Sequence, residues 1–181
     1  MPMQQEHFHK KQFDLGWLLP RREAVREGWQ YANLDALLLA HGRWFTPHPL
    51  PSDVAPGEPG KCYRDSVTWA LKQRPHEVAY VEGFADDLFA ARTPHAWCSR
   101  TDARVIDRTW DPVGLAYIGL PLQPEAAQSF MDDNGTWSVL FAAEGLVSAT
   151  TEAWMRHGVP DGVLMDVGLP LSPASAVHRR R

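Results

Sequence analysis

Cysteine is scarce in this sequence, with Cys62 and Cys98 the only two among 181 residues. Two cysteines are too few for the disulfide framework of a small secreted domain, and reducing compartments keep such thiols free. No apolar run approaches the roughly 20 residues that span a bilayer, and the polar start "MPMQQEHFHKKQFDLGWLLP" has no apolar signal-peptide core. We therefore expect a soluble, cytoplasmic protein without a membrane partner.

Positive charge is also in short supply, since the formal net charge at pH 7 is −4. A chain without a broad basic face is poorly suited to neutralise phosphates, so nucleic acid is not an expected partner. Metal-ligand patterns are missing as well, because the "HFH" of residues 7–9 matches no zinc-site spacing. We predict neither a metal nor any other cofactor.

Tryptophan, by contrast, is abundant. The chain has eight tryptophans, which indicates a core or a cleft built with large aromatic side chains. Its length fits one domain around one core. We predict a single domain over 1–181, with its core region at about 20–145, an N-terminal arm at 1–14 and a C-terminal tail at 170–181.

The hydrophobic pattern predicts an α+β fold in which helices come first and strands follow. Apolar residues recur at helical steps of four and three from Val25 to Leu39, after Pro20 and before Gly42, a typical helix end. Short runs rich in β-branched and aromatic residues predict strands. The later predicted elements are strands at 77–85, 95–99, 103–107 and 136–143, and helices from Pro124 and over 148–158.

An irregular segment leads directly to Cys62, since residues 47–60 hold five prolines and two glycines. After it, Tyr63, Val67 and Ala70 share a helical face, so Cys62 should occupy the first turn of a helix. The unpaired amides and the positive dipole end of that turn favour a thiolate and can stabilise an oxyanion. A lone cysteine is more often an inert core residue, so this assignment needs catalytic partners.

His95 and Asp107 are the candidate partners. If Ser99 lies opposite Ala103 in a hairpin, then His95 lies opposite Asp107, with their Cβ atoms about 5 Å apart. A register shifted by one residue would leave the two side chains diagonal. In the favoured register, His95 takes the proton of the Cys62 thiol, while Asp107 fixes the imidazole tautomer and stabilises the imidazolium.

The motifs "CYRDSVTWAL", "YVEGFA", "HAW" and "VIDRTW" occur in that order. Together they resemble the transglutaminase-like branch of the papain-like cysteine hydrolase superfamily, over about residues 60–112. The resemblance implies a papain/transglutaminase-like fold, with the nucleophile helix packed on a small antiparallel sheet. It also implies that Cys62 is the nucleophile, His95 the base and Asp107 the residue that orients the base.

Two departures from the family pattern concern the site. The family usually has proline after the aspartate, where this chain has Arg108. No glutamine stands a few residues before Cys62 to supply the oxyanion donor. Trp44 is the preferred substitute, ahead of Gln30 and Tyr31, because an indole N–H can donate. The supporting residues assigned around the site are Tyr63, Trp97 and Trp110.

Several neighbouring residues allow two interpretations. Trp97 and Trp110 flank the proposed histidine and aspartate, and we expect them to pack over the pair and exclude water rather than to stack on substrate. Glu82 interrupts an apolar strand, either as a partly buried carboxylate near the site or as an outward-facing residue. Cys98 should alternate to the face opposite His95 and lie in the core.

These residues predict a cysteine-dependent hydrolase or acyl transferase that acts on an amide, ester or thioester through an acyl-enzyme on Cys62. Its partner would be a peptide or a small-molecule acyl substrate, and the oligomeric state stays open. One alternative is an amine acyltransferase that forms amide bonds in a biosynthetic pathway, and another is a catalytically inactive papain-like binding protein. Residues 47–60 are expected to form one wall of the substrate cleft, above a core that does not depend on them.

Overall fold

An antiparallel sheet organises the chain. The structure is a computed structural model that describes residues 25–86, 92–142 and 146–171. The predicted arm, 1–14, and the end of the predicted tail, 172–181, lie outside these residues. In spatial order, the six strands are β4 (Val105–Ile106), β3 (Arg92–Ser99), β2 (Ala79–Asp86), β5 (Ala116–Leu122), β1 (Arg43–Phe45) and β6 (Leu169–Pro170).

The sheet curls until two of its strands meet at one corner. Thr46, directly after β1, donates its N–H to the carbonyl of Ala103 and accepts the N–H of Val105, both at 2.9 Å. These bonds join the end of β1 to the start of β4, which lies four places away in the strand order. The curl encloses an apolar core that includes Phe45, Val81, Val105, Tyr117 and Met165.

Helices cover the opposite face of the sheet. Alternation along the strands sends neighbouring side chains to the two faces, so Ala96 and Cys98 face the helices while Trp97 faces the curl. The helices of the described residues are α1 (Leu34–His41), α2 (Cys62–Ala70), α3 (Pro124–Asn134) and α4 (Ala149–His157). The predicted α+β combination, with the helix that carries Cys62 packed on an antiparallel sheet, is confirmed.

The first helix is much shorter than predicted. It begins at Leu34, because the side chain of Asn33 accepts the N–H of Ala36 at 2.9 Å and caps a new helix there. Upstream, residues 25–33 are not helical, and Gly28 has a φ of 78°, which a helix does not allow. Gly42 ends the helix as predicted, with its N–H bonded to the carbonyl of Leu38.

The strands differ from the prediction: the strand predicted at 103–107 is reduced to Val105–Ile106, the one at 136–143 is not formed in its described residues, and β5 was not predicted. The predicted strand at 136–143 is wrong for its described residues, since 136–142 form an irregular segment whose amides bond to Glu82. Conversely, β5 was not expected, because all seven of its residues are buried and the sequence shows no polar alternation. Gly119 in β5 faces Gly83 in β2, and these two glycines let the strand backbones pass closely.

The segment 47–60 contains neither helix nor strand, as its prolines predict. The prediction that the core does not depend on this segment is only partly correct. The side chain of Val54 is 6% exposed and belongs to the helix-side core, and Leu50 packs against the same core. This segment therefore contributes to stability as well as to the surface.

Candidate active site

Cys62 is the first residue of α2, as predicted, and is half-buried. Gly60, with a φ of 78°, turns the chain, and Lys61 then occupies the cap position, where its carbonyl accepts the N–H of Asp65 at 2.9 Å. The amides of the first helical turn have no acceptor within the helix. The thiol therefore lies at the positive end of the helix dipole.

Helix α2 is held against β3 by side-chain contacts to the backbone. The hydroxyl of Ser66 donates to the carbonyl of Ala96 at 3.3 Å, and the Cys98 thiol donates to the carbonyl of Ser66 at 3.2 Å. One helical turn before Ser66 is Cys62, and one residue before Ala96 is His95. The packing thus brings Cys62 close enough to the imidazole of His95 to contribute to the raised pKa of that ring.

The other side of the imidazole contacts Asp107. His95 Nε2 lies 2.7 Å from Asp107 Oδ2, and the two residues are only 1% and 3% exposed. Because Nε2 contacts the carboxylate, Nδ1 is the ring nitrogen left for the thiol of Cys62. Trp110 covers the pair, with its ring stacked on His95 at 4.1 Å between centroids and an interplanar angle of 26°.

The strand register that predicted this contact is wrong by two residues. Ser99 pairs with Val105 and not with Ala103. Residues 95 and 107 are therefore diagonal neighbours, at a Cα distance typical of about 7–8 Å. A shift of two residues keeps every side chain on its predicted face, since the strand period is two. The pair still forms, because the histidine side chain spans the diagonal.

Asp107 accepts hydrogen bonds at both carboxylate oxygens. Oδ1 accepts the N–H and the hydroxyl of Thr109, at 3.0 and 3.1 Å, and the N–H of Trp110 at 3.1 Å. Oδ2 accepts the hydroxyl of Tyr117 at 2.9 Å in addition to His95. Asp107 follows β4, and the next residues turn back so that their amides bond its carboxylate. These bonds fix the side chain in one orientation.

The electrostatics of the pair favour a charged imidazolium. Burial alone would lower the pKa of His95, but hydrogen bonds and charges from Asp107 and Cys62 outweigh it and raise that pKa to about 9. Burial would likewise raise the pKa of Asp107, yet His95, Thr109 and Tyr117 hold it below its ordinary value. At neutral pH the imidazole is therefore protonated between two groups that stabilise its charge.

Arg108, the residue after Asp107, connects several parts of the site. Its Nε donates to the carbonyl of Ala55 at 2.8 Å, and its Nη1 donates to the carbonyl of Asp65 on α2 at 3.2 Å. Its own carbonyl accepts the N–H of Gly57 at 2.6 Å. One side chain thus links the segment that carries Asp107 to the preceding loop and to the nucleophile helix.

A groove of about 660 Å³ lies between that loop and the segment after Asp107. Proline side chains and Trp110 form most of its apolar lining, and Asp107 is among the residues that line it. The predicted position of residues 47–60 beside the site therefore agrees with the geometry. The loop residues that line the groove are Pro49, Leu50, Pro56, Gly57 and Pro59.

The supporting residues occupy different places. Trp44 is 5% exposed and lies in the helix-side core on β1, so its role as oxyanion donor stays a prediction. Tyr63 is half-buried, and burial together with Glu82 and Cys62 raises its pKa well above the ordinary range. Trp97 is fully buried inside the curl, with its ring centroid 6.2 Å from the ring centroid of His95. Trp110 is the tryptophan that stacks closely on His95.

Tyr117 emerges only from the structure, which also shows that Glu82 is buried rather than outward-facing. Tyr117 reaches Asp107 from β5, the strand that the hydrophobic pattern does not reveal. Glu82 is fully buried and accepts hydrogen bonds from Tyr80, Ser138, Val139 and Leu140, so it anchors the irregular segment after α3. No local sequence signal predicts the contact of Tyr117 with Asp107 or that of Glu82 with residues 138–140. The contacting residues lie apart in the chain, and the segments around them show no hydrophobic alternation.

Neither the family models, nor the curated proteins, nor the solved structures compared with this chain give a match. Within the described ranges, no helix is long and apolar enough to cross a bilayer. In the same residues, no group of three or more His, Cys, Asp or Glu side chains could hold a metal ion. The inference about function therefore depends on the geometry of the site.

Iodoacetamide at pH 6.5 should alkylate Cys62 at least about tenfold faster than Cys98. Cys62 lies at a helix start beside a protonated imidazole. Cys98 is fully buried, and burial raises its pKa well above that of a free thiol. Peptide mapping after partial labelling measures the two rates in one sample. Equal labelling, or labelling of Cys98 first, would contradict the assignment of the reactive thiol.

Proposed function

We propose that this protein is a cysteine-dependent acyl-transfer enzyme, a hydrolase or a transferase, which works through a thioester on Cys62. The observation that carries the proposal is the arrangement of three groups: a buried imidazole of His95 bonded to Asp107, with Cys62 close enough to help raise its pKa to about 9. Nucleophile, acid–base and orienting group are the three parts that covalent acyl transfer requires.

The acylation step needs an electrophilic carbonyl. The thiolate sulfur of Cys62 attacks the carbonyl carbon of an amide, ester or thioester, and the carbonyl oxygen becomes an oxyanion near the first-turn amides of α2. As the tetrahedral intermediate collapses, its C–N, C–O or C–S bond breaks. His95 gives its proton to the leaving group, and the thioester remains on Cys62.

The deacylation step reverses the role of His95. The neutral imidazole removes a proton from water or from an amine as that nucleophile attacks the thioester carbonyl. The C–S bond then breaks, and His95 regains a positive charge beside Asp107 and the Cys62 thiolate. Water gives a hydrolase, whereas an amine gives an amide product and an acyltransferase of the transglutaminase type.

A papain/transglutaminase-like architecture is the fold we propose for this arrangement. Three features support it: a cysteine at the start of α2, the packing of α2 across β3, and a histidine on β3 that contacts an aspartate just beyond β4. The departure at Arg108 is compatible with this fold, because its side chain faces the preceding loop and leaves the Asp107 carboxylate free to bond His95.

The groove beside Asp107 is the place that we assign to part of the substrate. Its volume of about 660 Å³ falls in the range of small-molecule pockets. Proline and tryptophan surfaces offer few hydrogen-bond donors, so an apolar part of the acyl substrate suits this wall. The hydrogen bonds of Arg108 to Ala55 and Asp65 hold the wall at a fixed distance from α2.

Incubation with p-nitrophenyl esters of increasing acyl length, followed by intact-mass analysis, tests the proposal. We expect one acyl group per chain, located on Cys62 by peptide mapping and removed by hydroxylamine, which cleaves thioesters. Cys62→Ala should abolish the adduct, whereas Cys98→Ala should retain it. Rapid alkylation of Cys62 without any acyl adduct from the whole ester series would instead favour the inactive binding protein.

A further inference from the structure

We propose that Tyr117 sets the basicity of His95 by sharing the negative charge of Asp107, and is thus a positioning residue for the deacylation step. This inference rests on the proposed acyl-transfer function. It concerns the hydroxyl of Tyr117 on β5, which donates to the same carboxylate oxygen that His95 uses.

The Tyr117 hydroxyl has a fixed direction. The N–H of Gly114 donates to its oxygen at 2.8 Å, so the hydroxyl hydrogen is left for Asp107 Oδ2 at 2.9 Å. A Cβ on Gly114 would lie 3.0 Å from that hydroxyl oxygen and 2.7 Å from the carbonyl of Asp86. Because glycine has no Cβ, the backbone of Gly114 can approach the Tyr117 hydroxyl closely enough to form this bond.

Orientation of the carboxylate does not depend on Tyr117. Oδ1 already accepts two bonds from Thr109 and one from Trp110, and these fix the plane of the Asp107 side chain. The bond from Tyr117 falls on Oδ2, in competition with His95 for the same oxygen. Its distinct effect is to withdraw electron density from the oxygen that stabilises the imidazolium.

Tyr117 is a permanent donor. Its side chain is fully buried, and burial together with the charge of Asp107 raises its pKa well above the ordinary range of tyrosine. The hydroxyl therefore stays protonated wherever the protein is folded. Its contribution to Asp107 is constant with pH, so any change after its removal reflects His95 and its immediate neighbours.

Few other charged groups reach this pair. The groups that raise the pKa of His95 are Asp107 and the Cys62 of α2. From β2, the residue opposite His95 is Gly83, which carries no side chain. Arg108 turns its guanidinium to the backbone carbonyls described above. Tyr117 is thus the group on β5 that alters the negative charge on Asp107 Oδ2, the oxygen that His95 contacts.

His95 must both give and accept a proton during one turnover. A raised pKa suits the acid but leaves little neutral imidazole to act as the base. In the acyl-enzyme the sulfur of Cys62 carries no charge, so Asp107 is the group that keeps the pKa of His95 raised. Loss of the Tyr117 hydroxyl would concentrate charge on Asp107 Oδ2 and raise this pKa further. Acylation would then persist, while deacylation would slow.

Tyr117→Phe tests the inference. By NMR titration, with the signal assigned by comparison with His95→Gln, the pKa of His95 should rise by about 0.5–1 pH unit. Deacylation at pH 7 should slow by about threefold to tenfold, in proportion to the lost neutral imidazole. Burst kinetics with p-nitrophenyl acetate should retain the acylation rate, and the acyl-enzyme should accumulate.

Tyr80→Phe is the matched control, because Tyr80 is also fully buried and donates to a buried carboxylate, Glu82 Oε2, at 2.7 Å. It should lose stability without any change in the His95 titration. An unchanged His95 pKa and an unchanged deacylation rate in folded Tyr117→Phe would overturn the inference while leaving the acyl-enzyme intact. A wild-type protein that forms no acyl-enzyme would overturn the proposed function and this inference with it.

Thr109→Val provides a second variant if Tyr117→Phe does not fold. It removes one hydroxyl donor from Asp107 Oδ1 but retains the backbone bonds and most of the side-chain volume. Because this donor is on the oxygen that His95 does not use, the pKa of His95 should rise in the same direction by a smaller amount. No rise, or a fall, would contradict the sharing of charge by hydroxyl donors.

Discussion

Asp107→Asn should lower the alkylation rate of Cys62 at pH 6.5 by at least about tenfold, because His95 loses the carboxylate that raises its pKa and lets it act as the base for the thiol. The amide oxygen can replace Oδ1, where three donors converge. The NH2 group then faces His95 Nε2, which must accept. The imidazole proton moves to Nδ1, and a neutral ring of this tautomer cannot take the proton of Cys62.

The pH profile separates this explanation from a loss of structure. The wild-type rate should exceed the Asp107→Asn rate at pH 6.5, and the two rates should converge at high pH, where the thiol ionises without help from His95. Asp102→Asn is the control, because Asp102 is an exposed carboxylate in the turn before β4 and bonds only to Arg104 among the described residues. An Asp107→Asn protein with the wild-type profile would contradict the triad.

Glu82→Ala should lower the free energy of unfolding by about 3–6 kcal/mol, which is a large part of the 5–15 kcal/mol typical of a domain. Glu82 is fully buried and accepts the amides of Val139 and Leu140 at 2.9 and 2.7 Å. Alanine leaves both amides without an acceptor and opens a cavity. The hydroxyls of Tyr80 and Ser138 also lose their acceptor.

Urea unfolding followed by tryptophan fluorescence measures this loss. Glu82→Gln should lie between wild type and Glu82→Ala, because one carbonyl oxygen remains but the NH2 group opposes one of the two amides. Glu152→Gln is the control, since Glu152 is an exposed carboxylate paired with Arg156 one turn away, and it should change stability by less than about 0.5 kcal/mol. A Glu82→Ala protein as stable as this control would show that the anchor contributes nothing.

The parts of the site that follow local rules were predictable from the sequence. Cys62 begins a helix because a proline- and glycine-rich segment precedes an apolar helical face, and both signals are local. His95 and Asp107 were correctly placed on one face even though the register was wrong, because a shift of two residues preserves the face. Periodicity thus predicts which side chains meet more reliably than it predicts which residues are directly opposite.

The remaining features depend on contacts between distant segments. β5 is covered on both faces, so the sequence around Tyr117 has no alternation to reveal a strand. Three of the four partners of Glu82 come from an irregular segment more than fifty residues later, and no propensity encodes that pairing. The first helix is shorter than its apolar period because Asn33 caps a new start, which overrides a regular pattern.

The bonds of Thr46 across the corner of the sheet also affect how the protein behaves at high concentration. Exposed strand edges are templates on which another chain can add a strand and begin to aggregate. Here the edge strand β4 has two residues, and Thr46 already bonds the N–H of Val105 within it and the carbonyl of Ala103 just before it. The opposite edge, β6, is again two residues long, and one of them is Pro170, which has no N–H to offer. The two outermost strands of the sheet therefore offer few backbone groups to which a second molecule could add a strand.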